Sequence, residues 1–141
     1  MCLFQLVEKH GNVLYDMMKD KNTYYVHGGT SAEDREQIRE LVNKSNSSII
    51  IASYGTFSTG VNIPNLHNIV FASPSKSRIR VLQSIGRGLR KSNTKNSVLI
   101  YDICDDLTHK EKKNYTLTHF EERINIYNEE SFSYKINTVN I

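Results

Sequence analysis

Short apolar bursts rich in β-branched residues recur along the chain at 2–7 (CLFQLV), 23–27 (TYYVH), 48–53 (SIIIAS), 67–72 (HNIVFA) and 97–103 (SVLIYDI). Brief, nearly continuous apolar runs bounded by polar residues predict strands buried on both faces. The segments between them carry a helical period. Val13, Leu14, Met17 and Met18 mark one stripe, ending near Asp20 to Asn22. Thr30 or Ser31 is placed to cap a second helix, with Glu33 or Asp34 completing a capping box and the helix running to about Asn43. Ile79, Leu82, Ile85 and Leu89 give a third stripe. Alternating strands and helices require right-handed crossovers, so the expected fold class is α/β: a mostly parallel twisted sheet with helices on both faces.

Past Asp105 the pattern changes. DDLTHKEKKNY reads as an exposed connection, Leu117, Phe120, Ile124 and Tyr127 or Asn128 predict a further helix, and FSYKINTV alternates weakly as a candidate edge strand. The expected organisation is therefore a lobe over 1–106 and a helical and strand extension over 107–141 packed on the same domain.

Charge changes the picture more than composition does. The chain carries a net +3, but residues 41–101 contain no acid and hold +8, leaving −5 for the remainder. A cationic middle between acidic ends points to an anionic partner, either nucleic acid or a nucleotide phosphate. Cys2 and Cys104 lack metal-ligand spacing and read as reduced core thiols. No apolar run approaches the ~18 residues of a membrane span, and the N-terminus lacks a signal-peptide pattern, so a cytoplasmic protein is expected.

In open α/β sheets ligands gather beyond the carboxyl ends of the strands. HGGTS, SYGTFSTGVN and SPSKSR each follow a predicted strand, so function is expected along that rim. Gly28 and Gly29 allow a tight turn whose following helix start suits a phosphate, although Ser31 and Asp34 account for the cap without one. Lys76, Arg78 and Arg80 lie among small hydroxyls, a combination suited to sequence-independent phosphate contacts. Tyr54 and Phe57 are candidates for stacking on bases or for the core. In QSIGRGLR, the spacing of four and three puts Gln83, Arg87 and Arg90 on one helical stripe. Guanidinium forks there suit phosphate oxygens. Two helix glycines, each costing about 1 kcal/mol, imply close approach by a ligand or another backbone.

That Gln-x-x-Gly-Arg-x-x-Arg pattern resembles the last motif of superfamily 2 helicases and translocases. ASYGTFSTGVNIPNLHNIVFASP is similar to the motif after the third strand of their second RecA-like lobe. With YDICDDL and the C-terminal helix, the likeness runs over nearly the whole chain and is nearest to the UvsW type of phage DNA helicase. The resemblance implies the C-terminal motor lobe of an ATP-dependent helicase that remodels branched or forked DNA. Arg87 is then the arginine finger and Arg90 its companion. Gly60, Asn62 and Gln83 fall on the nucleotide side, and Ser53 and Thr56 on the nucleic-acid backbone. Many relatives have Asp at the position of Asn62, which keeps an acceptor but loses a charge.

Gly55 and Gly60 have the spacing of a phosphate loop, yet Val61 and Asn62 stand where Lys and Ser or Thr are needed. ATP with Mg2+ is accordingly expected to be held mainly by a first RecA-like lobe, in the same or another chain. No metal site is expected here, and this chain alone is expected to be inactive. The alternative from a different class is a stand-alone, non-enzymatic nucleic-acid-binding module.

Overall fold

The computed structural model describes residues 2–6, 8–19, 22–45, 47–58, 63–73, 75, 77–89, 97–110 and 112–140, with side chains from His10 onward except at 57, 58, 87 and 88. Among these residues ten elements follow in order: β1 (Cys2–Leu6), α1 (Glu8–Met18), β2 (Thr23–Val26), α2 (Ala32–Asn43), β3 (Ile49–Ser53), α3 (Tyr54–Ser58), β4 (Asn68–Phe71), α4 (Arg78–Gly88), β5 (Leu99–Asp102) and α5 (Tyr115–Glu129). All five predicted strands are present. They form one sheet in the order β2-β3-β1-β4-β5, every neighbouring pair parallel.

Strand alternation divides the side chains between two faces. Ile50, Ala52, Ile69 and Phe71 join Val26, Val42 of α2, Val81 and Ile85 of α4, and Ile126 and Tyr127 of α5 in one buried cluster. Tyr25, which alternates with Val26, faces the other way, where its ring stacks 5.9 Å from Tyr15 of α1. Helices therefore cover both faces. Each fully buried aliphatic side chain contributes about 1.5–3 kcal/mol, so this cluster is the main adhesive of the fold.

Ser31 caps α2, its Oγ accepting from the Asp34 N–H at 3.0 Å. Such caps contribute about 1 kcal/mol. α2 ends at Asn43, where the sequence places it.

Four expectations are corrected. On α4, Ile79 is 69% exposed, as is Leu89 just past its end at 56%, while Val81, Ser84 and Ile85 are buried. The inward face thus runs through a serine, whose hydroxyl donates to the Arg80 carbonyl at 2.8 Å and so enters the core satisfied. On α1, Val13 and Met17 are exposed; Leu14, Tyr15 and Met18 turn inward. Residues 132–140 form no strand. Ser131 adopts φ 57° and reverses the chain after α5, so that the Phe132 N–H meets the Tyr127 carbonyl at 2.9 Å and the segment returns toward α5 instead of the sheet edge. Cys104 is half-buried, not a core residue.

Candidate nucleic-acid and nucleotide interface

Because the strands are parallel, the loops after β2, β3 and β4 open on one rim. After β2, the Thr30 N–H donates to the His27 carbonyl at 3.0 Å and the His27 N–H to the Thr30 hydroxyl at 3.0 Å, closing a tight turn through Gly28 and Gly29. The Gly29 N–H donates to His27 Nδ1 at 3.1 Å, and a Cβ at Gly29 would sit 3.1 Å from His27 Cε1. A side chain there would push the imidazole aside. Arg35 reaches back from α2 to the Gly28 carbonyl at 3.4 Å, tying the turn to the helix.

After β3, Ser53 caps the short α3. Its Oγ accepts from the Thr56 N–H at 3.3 Å and lies 2.6 Å from the buried Thr56 hydroxyl. The two hydroxyls assigned to a nucleic-acid backbone thus bond each other. Tyr54 belongs to the core: its ring lies 6.4 Å from Phe71 and its hydroxyl donates to the Ser73 carbonyl at 3.0 Å. Gly60 and Asn62 lie outside the described residues, as does the side chain of Phe57.

After β4, Ser73 and Ser75 are buried, and Ser77 Oγ accepts from the Arg80 N–H at 3.5 Å at the start of α4. Arg78 donates to the carboxylates of Glu129 and Glu130 at the end of α5. The pair is half exposed and screened by solvent, which leaves the guanidinium able to exchange carboxylate for phosphate. Arg80 and Gln83 are exposed on α4, Arg80 within the electrostatic reach of Tyr54. Arg87 lies in α4 with its side chain outside the described set; Lys76 and Arg90 lie wholly outside it. Gly86 is exposed, and a Cβ there would meet nothing within 4 Å. Whatever approaches this glycine comes from outside the described residues.

A rim of loops at the carboxyl ends of a parallel sheet, with an arginine-bearing helix after the fourth strand, is the geometry of a RecA-like helicase lobe. The sequence model for the helicase conserved C-terminal domain matches residues 4–92. The chain belongs to that family.

This helicase C-terminal domain is 39% identical over 144 residues to the ATP-dependent DNA helicase uvsW of Enterobacteria phage T4, an alignment covering 94% of the chain and 29% of the phage protein. The crystal structure of T4 UvsW matches it with a TM-score of 0.77 at 38% identity, over 99% of this chain and 31% of that one. The C-terminal domain of the DEAD-box protein Dbp5 shares the fold at 18% identity, with a TM-score of 0.66 over 92% of the chain. The helicase domain thus spans less than a third of its phage relative. No helix among its described residues is long and apolar enough to cross a membrane.

The helicase domain also contains a buried polar network that the sequence pattern does not single out. Arg123 of α5 is 1% exposed. It forks onto Asp102 at the end of β5, Nε to Oδ2 and Nη2 to Oδ1 both at 2.7 Å, and its Nη1 donates to the Ser75 carbonyl at 3.1 Å. The Tyr127 hydroxyl donates to Asp102 Oδ2 at 2.8 Å, and the Phe120 ring lies 5.8 Å from Arg123 Cζ. Burial alone disfavours the guanidinium charge, but the Asp102 hydrogen bonds and carboxylate more than offset it, and the Arg123 pKa is raised. One signal was available in the sequence: Arg123 stands three residues from Phe120 and four from Tyr127, on the apolar side of its helix.

Burial pushes the Tyr54 phenol up to about 12. Tyr127 is also raised, by burial and then by the Asp102 carboxylate. An unfolded tyrosine ionises near ~10, so above that pH the unfolded chain holds fewer protons than the folded one and stability falls as pH rises. Urea denaturation is expected to show a loss between about pH 10 and 12, about 1–3 kcal/mol of it from Tyr54. Tyr54→Phe should flatten that fall; an unaltered profile in the variant would contradict the assignment.

Proposed function

We propose that this domain is the C-terminal motor lobe of an ATP-driven DNA helicase that remodels branched or forked DNA. Residues 1–106 form the lobe and 107–141 an extension packed on it. The observation carrying the reading is the 39% identity to a phage DNA helicase over 94% of the chain, with QSIGRGLR falling on and just past α4. In this reading the first lobe supplies the phosphate loop and the acids that hold Mg2+. Arg87 and Arg90 reach across the cleft to the ATP phosphates, and Gln83 couples the nucleotide to the interface. The open space over Gly86 leaves room for that approach. Gly60 and Asn62 add contacts on the nucleotide side. The turn at Gly28 and Gly29, with Ser53, Lys76, Arg78 and Arg80, tracks the DNA backbone, while the buried Thr56 hydroxyl holds Ser53. ATP with Mg2+ supplies the energy of translocation; these residues bind, orient and stabilise developing charge.

The direct test is phosphate release from ATP by the 141-residue chain, with and without forked DNA, beside DNA affinity measured by fluorescence anisotropy. The expected result is salt-sensitive DNA binding with no turnover in either condition, as for half a motor. DNA binding that ignores ATP and is lost equally on Arg87→Ala and Lys76→Ala would favour a stand-alone binding module that uses the same basic face. Turnover by the chain alone would place a complete ATP site within it and overturn the reading.

A further inference from the structure

The loop between β4 and α4 leads into Arg78 and Arg80, the α4 cations assigned to the DNA backbone, and buries the small residues Ser73 and Ser75. Among the described residues, two side chains from outside the loop hold its carbonyls. Tyr54 donates to the Ser73 carbonyl, and Arg123, from a helix 48 residues further on, donates to the Ser75 carbonyl. The same guanidinium is gripped on its other side by both oxygens of Asp102. Arg78, the first residue of α4, is held by Glu129 and Glu130 at the C-terminal end of that same helix. α5 therefore contacts the loop at its centre and the start of α4 at its flank.

We propose that Arg123 is a positioning residue for nucleic-acid contact: by bridging Asp102 and the Ser75 carbonyl it fixes the loop after β4 and thereby aims the cations at the start of α4 at the phosphate backbone. This rests on the reading of the rim as the DNA-binding surface. The planar fork is what the role requires, since a single ammonium cannot meet two carboxylate oxygens and a carbonyl in these directions. Asp102 holds the fork in register and Tyr127 holds Asp102. Arg123 itself touches no DNA.

The test separates positioning from plain stability. Asp102→Leu/Arg123→Met/Tyr127→Phe replaces the network by apolar groups of similar volume, a change that commonly preserves folding, while removing the donor to Ser75. Amide exchange over residues 75–80 and affinity for forked DNA at several salt concentrations are measured on the folded variant. Loop exchange is expected to rise at least about tenfold, and affinity to fall several-fold, with the salt slope reduced by about one phosphate contact. Unchanged exchange overturns the proposal. Faster exchange with wild-type affinity and salt slope also overturns it, because the network would then be structural only. Should the triple variant fail to fold, Arg123→Lys, which keeps the charge and loses the fork, is judged by the same readouts. Absence of DNA binding by the unaltered chain refutes the DNA reading instead, and exchange alone then decides whether Arg123 fixes the loop.

Discussion

Asp102→Leu, made alone, is expected to destabilise the chain by about 3–5 kcal/mol, because it leaves the Arg123 guanidinium buried without its counter-charge. Arg123 is 1% exposed and its Asp102 partner 10%, so the guanidinium lies almost entirely out of water. Tyr127 loses the acceptor of its hydroxyl in the same step. For a domain of this size the loss corresponds to a fall of roughly 10 °C or more in the thermal midpoint, read by circular dichroism. Adding Arg123→Met and Tyr127→Phe to Asp102→Leu should recover most of it, since the cost lies in the orphaned charge more than in the missing attraction. A single variant as stable as the parent would mean that the guanidinium finds solvent, and the network would lose its structural role.

Arg87→Ala carries the largest expected functional effect. In the two-lobe enzyme the substitution should lower ATP turnover by about 10³–10⁵-fold, the range an arginine finger contributes to phosphoryl transfer. DNA affinity should change little, because the stabilised charge develops on the transferring phosphoryl group and not on the DNA. The measurement is steady-state phosphate release at saturating DNA, paired with anisotropy on the same preparation. Turnover within a few-fold of the parent would remove Arg87 from the transition state. Equal losses in turnover and DNA affinity would make it a backbone contact instead.

The strands and the capped helix α2 were legible without coordinates because each is a local pattern. An apolar run such as SIIIAS is buried whatever surrounds it, and a serine three residues before an aspartate caps a helix by contacts within one turn. That QSIGRGLR begins on a helix was legible for the same reason, since Gln83 and Arg87 recur at helical spacing within α4. Which face of α4 turns inward was not legible from apolar residues alone, since Ser84 occupies a buried position that only its bond to the Arg80 carbonyl makes tolerable.

What the amino-acid sequence by itself determined is the alternation of strands and helices, the acid-free basic segment and the helicase motifs. All of these are written in residues close together along the chain. Tertiary structure alone decided that Ser53 and Thr56 bond each other, that Arg78 is held by α5, and that the tail returns to α5 instead of extending the sheet. It alone brought Asp102, Arg123 and the Ser75 carbonyl together across 21 and 48 residues of chain. Such meetings depend on the sheet order and on the path of α5, and a buried charge is stabilised only by partners that the fold delivers from a distance.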